Sequence, residues 1–234
     1  MMSLFVGSFI LIATLLASIG SGTSTQFITL HAMILVGGGS IGILFLATPA
    51  PVLKVLFNLG VRMVRRESGI SDYRLVLQQL SSNPLANVSV ENVLVRYACE
   101  LWSRGIERDL FLTLLSEKRR EIDLKNMDAV QALRNLAKYP PALGMTGTVI
   151  GMIGLFAELD KNRESIGHHL SMALTATFLG LIIANLVVSP LGDRLQIHQA
   201  NAQQTNTHLY EILLLINNRE PNVLVEEEIN GRAA

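Results

Sequence analysis

The residues of this 234-residue chain whose spacing indicates chemistry are two threonines set among small side chains. Thr148 lies four residues after Gly144 and three before Gly151. Thr177 lies at similar spacings in a second series of small residues, with Ala173, Gly180 and Ala184. Residues three or four apart share one face of a helix. The two hydroxyls could therefore line a polar path that another chain completes.

Two simpler interpretations of this pattern stay open. Small residues let helices approach closely, and Gly147 and Gly151 form a close-packing motif of the Gly-x-x-x-Gly kind. A threonine in a helix can also donate its hydroxyl hydrogen to the carbonyl four residues earlier. The same residues therefore fit helix packing alone as well as a hydroxyl-lined path.

Other residues that could do chemistry give weaker signals. Gly37–Ser40 is rich in glycine but lacks the Lys-Ser/Thr end of a phosphate-binding loop, so it indicates a packing face or a bend. His168 and His169 are adjacent, and on a helix they point about 100° apart, which does not suit one metal ion. Cys99, the single cysteine, has no neighbouring histidine. We therefore expect no catalytic residues, no metal site and no cofactor, in a protein that is not an enzyme.

Long uncharged segments predict the elements that carry the threonines. Residues 1–53, 139–157 and 165–192 contain no Asp, Glu, Lys or Arg, although such residues make up 16% of the chain. About 20 apolar residues cross a bilayer as a helix, so the chain is expected to be an integral membrane protein. The predicted spans are about Met1–Gly20, Phe27–Ala47, Pro140–Ala157 and Leu170–Leu191. A cleaved signal peptide is the alternative for the first span, but the positively charged start is missing.

The distribution of charge predicts the orientation of the spans. Lys54–Lys138 carries 14 Lys/Arg against 10 Asp/Glu, whereas the turn Ser21–Gln26 is uncharged. Loops rich in Lys and Arg stay in the cytoplasm, so both termini are expected there too. Basic and acidic residues number 19 each, which argues against a nucleic-acid partner because phosphates need a basic excess.

The expected fold is an all-α membrane protein with four transmembrane helices. Residues 1–50 form helices one and two, and residues 51–139 form a helical cytoplasmic domain between helices two and three. Residues 140–192 form helices three and four, and residues 193–234 form a cytoplasmic C-terminal helix and tail.

Two helices are expected within the cytoplasmic domain. Ser89 is predicted to cap the first, which has Asn92 facing water and stops at Gly105. The second is predicted from Glu107 to Lys138.

The second of these helices carries a run of mixed charge at residues 117–121. A solvated helix face is the simpler interpretation. A docking surface, with Glu117, Arg119 and Arg120 in contact with a partner, is the alternative.

Two segments resemble the third and fourth transmembrane helices of the MotA branch of the MotA/TolQ/ExbB ion-channel superfamily. The first is Pro141–Met152, and the second is Met172–Asn185 followed by Ser189–Leu191. A weaker resemblance covers Val36–Ser40, as part of the second helix, and Ile216–Pro221, as the cytoplasmic tail.

The resemblance implies an assembly and a mechanism. In such complexes of the bacterial inner membrane, five copies of this subunit surround two copies of a single-span partner of the MotB, ExbD or TolR type. A membrane Asp of that partner carries the ion, and ion transit drives rotation of the five around the two. By match, Thr148, Ala176 and Thr177 follow the ion path, and Pro141 and Pro190 lie at its cytoplasmic mouths. The expected helix-packing and gating residues also include Gly144, Gly147, Gly151 and Gly180.

The resemblance also favours H⁺ over Na⁺ as the transported ion. Sodium-type relatives have two adjacent threonines where this chain has Ala176 and Thr177, which is one oxygen fewer. A bare Na⁺ needs several oxygen ligands. A desolvated carboxylate, in contrast, takes and releases a proton near neutral pH.

Three functions stay open. The chain could drive a flagellar motor, in which case it also contacts a cytoplasmic rotor protein. A subunit of the same build could instead drive an envelope or transport system, as ExbB and TolQ do, or the chain could be a passive membrane scaffold. Residues 60–105, where the resemblance stops, lack the charged stretch by which typical motor subunits contact the rotor.

Overall fold

The structure, a computed structural model, describes residues 7, 10, 13–14, 30–64, 70–82, 92–159 and 163–218. All regular structure in these residues is helical, which confirms the predicted all-α class. The predicted first span, Met1–Gly20, lies almost entirely outside the described residues, so the count of four spans stays a prediction.

From residue 30 onward, the described chain forms eight helices. They are α1 (Leu30–Ala47), α2 (Ala50–Val64), α3 (Ile70–Ser82), α4 (Val93–Ser103), α5 (Arg108–Leu136), α6 (Tyr139–Glu158), α7 (Arg163–Ile182) and α8 (Ser189–Asn217). Two π-helical segments interrupt the α pattern, Ile34–Gly38 inside α1 and Ile183–Val188 between α7 and α8. Among the described residues, three helical runs are long and apolar enough to cross a membrane. They include residues 30–47 of predicted span two and the whole of predicted spans three and four.

Prolines explain where α6 begins and where the second π-helical segment lies. Pro140 and Pro141 occupy the first turn of α6, where the missing N–H would have no partner in any case. Pro190 follows Ile183–Val188 within a continuous helical run. A proline inside a helix clashes with the carbonyl four residues earlier, and a wider π turn before it relieves that clash.

The chain divides into two compact units. The first comprises residues 1–60 and 128–196, and its centre is the antiparallel pair α6 and α7. The first turn of α1 packs against α7, and Ala32 and Val36 of α1 form a small core with Ala176 of α7. Leu143 packs against this core from α6.

The second unit comprises residues 61–127 and 197–234 and has a larger apolar core. Its fully buried large side chains are Leu77, Leu80, Leu94, Val95, Phe111, Leu115, Leu209, Ile212 and Leu213. The Trp102 ring stacks on Phe111 with centroids 5.3 Å apart, and its Nε1 donates to Oδ1 of Asn217 at 3.0 Å. The indole ring is therefore packed in the core while its N–H group keeps a hydrogen-bond partner.

The helix α4 begins later than predicted, and its predicted end is confirmed. The predicted cap, Ser89, lies outside the described residues. The observed cap is Asn92, whose side chain accepts hydrogen bonds from the backbone N–H groups of Leu94 and Val95. The Asn92 amide also donates to Asn206 at 3.2 Å and does not simply face water. Gly105 ends the helix region with a φ of 64°, which a residue without Cβ adopts at little cost.

Candidate functional site

The two threonines singled out by the sequence meet across α6 and α7. Their hydroxyl oxygens are hydrogen-bonded to each other. Thr148 Oγ1 also lies 3.2 Å from the Gly144 carbonyl of its own helix and 3.3 Å from the Ala173 carbonyl of α7. Thr177 Oγ1 lies 3.2 Å from the same Gly144 carbonyl. Each hydroxyl thus reaches a carbonyl of the opposite helix.

This arrangement offers more acceptors than hydrogens. Each threonine hydroxyl has one hydrogen and can donate it once, whereas two hydroxyl oxygens and two carbonyl oxygens stand within reach. The back-bonding interpretation is therefore correct for part of the contacts of Thr148, since its own-helix carbonyl is one of several partners. The group is rich in oxygen and has no ionisable side chain, so it can guide a polar or charged species but cannot itself carry a proton away.

Glycines set the close approach that makes this contact possible. A Cβ on Gly144 would lie 2.9 Å from the Ala176 carbonyl oxygen and 3.0 Å from Thr177 Cα. A Cβ on Gly147 would lie 2.5 Å from Ala176 Cβ, and one on Gly151 would lie 2.7 Å from Ala173 Cβ. We call this contact, made by Gly144, Gly147, Thr148 and Gly151 with Ala173, Ala176 and Thr177, the α6–α7 seam. Helix packing and hydroxyl pairing are therefore two properties of the same residues.

The other predicted residues of the two helices lie at different places. A Cβ on Gly180 would lie 2.5 Å from the Pro140 carbonyl oxygen and 3.3 Å from Pro141 Cα, so α7 passes close to the first turn of α6. Pro190 lies ten residues further along the chain and is exposed. Ala176 is 1% exposed and packs between α1 and α6.

Thr175 carries a further hydroxyl of α7, two residues before Thr177. Its side chain is buried and has an interaction partner. The spacing from Thr177 indicates a different face of α7, and the structure agrees that it is not among the hydroxyl contacts of Thr148.

The predicted partner-docking residues lie in the second unit and divide into two kinds. Glu117 and Arg120 are exposed, whereas Arg119 is half-buried and holds its guanidinium carbon 4.6 Å from the centre of the Tyr210 ring. Lys118 lies over Tyr97 at 5.6 Å and pairs with Glu121 at 2.8 Å. Part of the charged run therefore packs within its own unit.

Two carboxylates of α5 have shifted pKa values. The hydrogen bonds from Lys118 and Lys125 lower the pKa of Glu121 to about 2. Burial raises the pKa of the Asp123 carboxyl, against the opposing effects of Arg119 and of a hydrogen bond from Asn206. Oδ1 of Asp123 has no hydrogen-bond partner among the described atoms. Phe111, Leu115 and Asp123 lie at multiples of four on one helix face, which is the sequence signal for this burial.

The structure also pairs two side chains that the sequence did not connect. His169 Nε2 lies 3.2 Å from Glu158 Oε2, across the end of α6 and α7 next to their connecting turn. In the part of the chain that the structure describes, no three His, Cys, Asp or Glu side chains converge on a common point. The polar groups along the contact of α6 with α7 are therefore hydroxyls, carbonyls and this His169–Glu158 pair.

Comparison with known proteins agrees with this fold and these residues. Residues 83–207 match the MotA/TolQ/ExbB proton channel family, which covers more than half of the chain. The chain belongs to this family. It is 23% identical to Motility protein A of Treponema phagedenis over 95% of this chain and 89% of that protein. It is 24% identical to chemotaxis protein PomA of Vibrio alginolyticus over 49% of this chain and 45% of that one.

Two solved structures share the fold. The MotAB structure from C. jejuni matches with a TM-score of 0.81 and 14% identity, over 99% of this chain and 95% of that chain. The flagellar MotAB stator complex from Bacillus subtilis matches with a TM-score of 0.76 and 17% identity, over 97% and 93%. The helical architecture is therefore that of the MotA subunits of these complexes.

Proposed function

We propose that this chain is the proton-conducting subunit of a rotary stator complex that powers a flagellum. The observation that carries the proposal is the pair Thr148 and Thr177, whose hydroxyls bridge the charge-free stretches 139–157 and 165–192 beside carbonyl oxygens of the two helices. Because this seam has no carboxylate, a proton that crosses the membrane on a carboxylic acid needs that acid from another chain.

The assembly we propose has five copies of this chain around two copies of a single-span partner of the MotB type. Its membrane Asp carries the proton past Thr148 and Thr177, with Ala176 at the same level. Exposed apolar side chains on α6 support an assembly: Met145, Val149 and Ile153 are 62%, 58% and 63% exposed in the single chain. Lipid or neighbouring helices would cover them.

We place the complex in the bacterial inner membrane with four spans and both termini in the cytoplasm. The basic excess of Lys54–Lys138 supports this orientation. The segments 1–50, 51–139, 140–192 and 193–234 are then alternately membrane and cytoplasmic. Pro141 and Pro190 lie at the cytoplasmic mouths of the path.

A flagellar role is favoured over an envelope or transport role by the relatives, several of which are named motility or chemotaxis proteins. The exposed Glu117 and Arg120, together with Arg119, are the residues we propose to contact a rotor protein.

Deletion of this gene in its host tests the flagellar role. The expected cell is paralysed, still assembles flagella, and recovers swimming when the gene is restored. Normal swimming combined with a defect in envelope integrity or outer-membrane uptake would support the alternative role instead.

Native mass spectrometry of the complex, purified through a tag on this chain, tests the assembly. Five copies with two copies of a smaller partner are expected. A stable monomer or an even-numbered ring would contradict the proposal.

A further inference from the structure

The contact between His169 and Glu158 has a defined chemical form. His169 Nε2 faces the carboxylate at 3.2 Å, whereas Nδ1 is buried and has no hydrogen-bond partner among the described atoms. A buried N–H without a partner costs more than a buried lone pair of a ring nitrogen. The geometry therefore places the histidine hydrogen on Nε2, where it is donated to Glu158.

The His169 ring packs against the backbone of α6 at Gly154. A Cβ on Gly154 would lie 2.7 Å from Nδ1 and 2.9 Å from Cε1 of His169. The ring thus rests on bare backbone of α6, and any larger residue at 154 would push it away. Gly167, two residues before His169, has no such neighbour, because nothing lies within 4 Å of its Cβ position.

His169 lies on the same face of α7 as Thr177, beyond the end of the α6–α7 seam. His169, Ala173 and Thr177 are spaced by four residues and share a face of α7. A Cβ on Gly151 would touch both Ala173 and the His169 carbonyl oxygen, so the α6–α7 seam continues directly to His169. His169 and Thr177 are about 12 Å apart along the helix axis, and the pair stands at the end near the α6–α7 turn.

One side of this pair is exposed in the single chain. The Glu158 side chain is 46% exposed and that of His169 is 21% exposed, while the ring nitrogen on the inner side is fully buried. An incoming proton can therefore add to the Glu158 carboxylate from the exposed side, whereas Nε2 already carries its hydrogen and the Nδ1 lone pair is buried against α6.

We propose that Glu158 and His169 form a proton-loading site at the outer mouth of the ion path. The inference rests on the proposed function and on the orientation that places the α6–α7 turn outside the cell. A proton from a hydronium ion adds to the pair, whose net charge changes from −1 to 0. That proton then leaves for the carboxylate of the single-span partner, and the pair returns to −1. No other bond forms or breaks.

Glu158 has a further interaction besides the one with His169, and two other ionisable residues lie on the described helices near this pair. On α7 the neighbour is His168, whose ring meets that of His169 edge-on at 5.9 Å and is exposed. On α1, whose first turn packs against α7, the ionisable residue is His31, which is exposed. The side chains of residues 160–165 lie outside the described part.

Proton influx into liposomes tests the proposal. The complex, purified with its partner through a tag on this chain, is reconstituted in phosphatidylethanolamine and phosphatidylglycerol with an entrapped pH dye. A valinomycin–K⁺ potential drives influx at external pH 5.5 to 8.0. Glu158→Gln and His169→Gln are expected to lower influx about tenfold at pH 8.0, below the usual effect of a positioned proton-transfer group. At pH 5.5 they lower it less than about twofold, because free protons are then abundant.

Matched variants separate loading from a structural role. Gly154→Ala, which displaces the ring, should behave like His169→Gln, whereas Gly167→Ala and His168→Gln should keep the wild-type profile. Glu158→Asp keeps a carboxylate and should keep most of the influx at pH 8.0. Native mass spectrometry of each variant checks assembly.

Three outcomes would overturn the proposal. The first is a wild-type pH profile in the Glu158 and His169 variants while Thr177→Ala lowers influx at every pH, which would leave the proposed function standing. The second is an equal loss in the pair variants at every pH or a loss of assembly, which would assign the pair a structural role. The third is the absence of proton influx in the wild-type complex, which would remove the proposed function as well.

Discussion

At the scale of single residues, the α6–α7 seam shows how one hydroxyl can differ from another two positions away. Thr177 shares a carbonyl with Thr148 and bonds to its hydroxyl, whereas Thr175 is buried and is not part of that contact. The two residues have the same chemistry and nearly the same height along α7. Only their direction differs, which makes Thr175 a matched control for Thr177.

Thr177→Ala is expected to lower ion flux or swimming speed more than Thr175→Ala. Removal of the Thr177 hydroxyl takes one oxygen from the path and one partner from Thr148. A hydrogen bond of roughly 1.4 kcal/mol lost along the path corresponds to about a tenfold drop in flux. Membrane levels of both variants, measured by immunoblot, should match the wild type. Equal loss of flux in the two variants would contradict the geometry.

Asp123 gives a second prediction at the residue scale, in the second unit. Because burial raises the pKa of its carboxyl, the folded chain holds this proton more tightly than the unfolded chain, whose value is about 3.9. The sign follows from proton linkage: the contribution of Asp123 to stability falls as pH rises through the window between the two values.

Asp123→Asn should therefore raise the thermal midpoint of the detergent-solubilised chain at pH 8, and the gain should shrink as the pH falls through the folded-state pKa of Asp123. Each kcal/mol relieved corresponds to about 2–4 °C for a chain of this size. Asp128→Asn, an exposed change on the same helix, serves as the control. A midpoint that drops at pH 8 would mean that Arg119 and Asn206 stabilise the charged form more than burial destabilises it.

At the scale of helices, the closeness of α6 and α7 depends on absent side chains. Gly180 faces the Pro140 carbonyl oxygen, which belongs to backbone and cannot rotate away, and a Cβ there would lie 2.5 Å from it. Gly42, on α1, has nothing within 4 Å of its Cβ position. The same substitution at the two sites therefore adds one methyl group to a tight contact or to open space.

Gly180→Ala is expected to destabilise the purified chain by about 1–3 kcal/mol, the usual cost of overpacking. Gly42→Ala should leave its stability close to that of the wild type. The thermal midpoint in detergent measures both. A midpoint that is unchanged in Gly180→Ala would show that the first turn of α6 can move aside.

Helix positions could be read from the sequence because prolines, charges and long apolar runs mark them. The cap Asn92 could not be identified in this way, because Asn and Ser both cap helices and the sequence before Val93 offers both residue types. The π-helical segment Ile34–Gly38 could not be predicted either, because an extra residue in a turn leaves the hydrophobic pattern unchanged and no proline follows it within α1.

The sequence predicted which faces of α6 and α7 form the candidate site, but not which side chains meet there. Small residues at helical spacing placed Thr148 and Thr177 on seam-forming faces, but the register of α6 against α7 decides which hydroxyl meets which carbonyl. That register also buries Ala176 against Gly147 and brings His169 to Glu158. None of these pairings is encoded within either helix alone.

At the scale of the whole molecule, the absence of a carboxylate in the described seam connects ion choice to assembly. If a carboxylic acid of the partner carries the proton, this chain need supply only a closely packed path with few hydroxyls. Thr148 and Thr177 fit that need. Their two hydroxyls bond to each other and to the carbonyls of Gly144 and Ala173, and these contacts would have to open before the oxygens could enclose a Na⁺. Complete replacement of the hydration shell of Na⁺ would require several oxygens that face a common centre.

The ion choice can be tested in living cells. We expect swimming to persist in sodium-free medium and to stop when a protonophore collapses the proton gradient, since the path then has no driving force. Varying external Na⁺ at constant proton-motive force is the control, and swimming speed should stay level. Speed that rises with Na⁺ under those conditions would mean that oxygens from the partner complete a sodium site around Thr177, and the proton-carrier mechanism would be wrong.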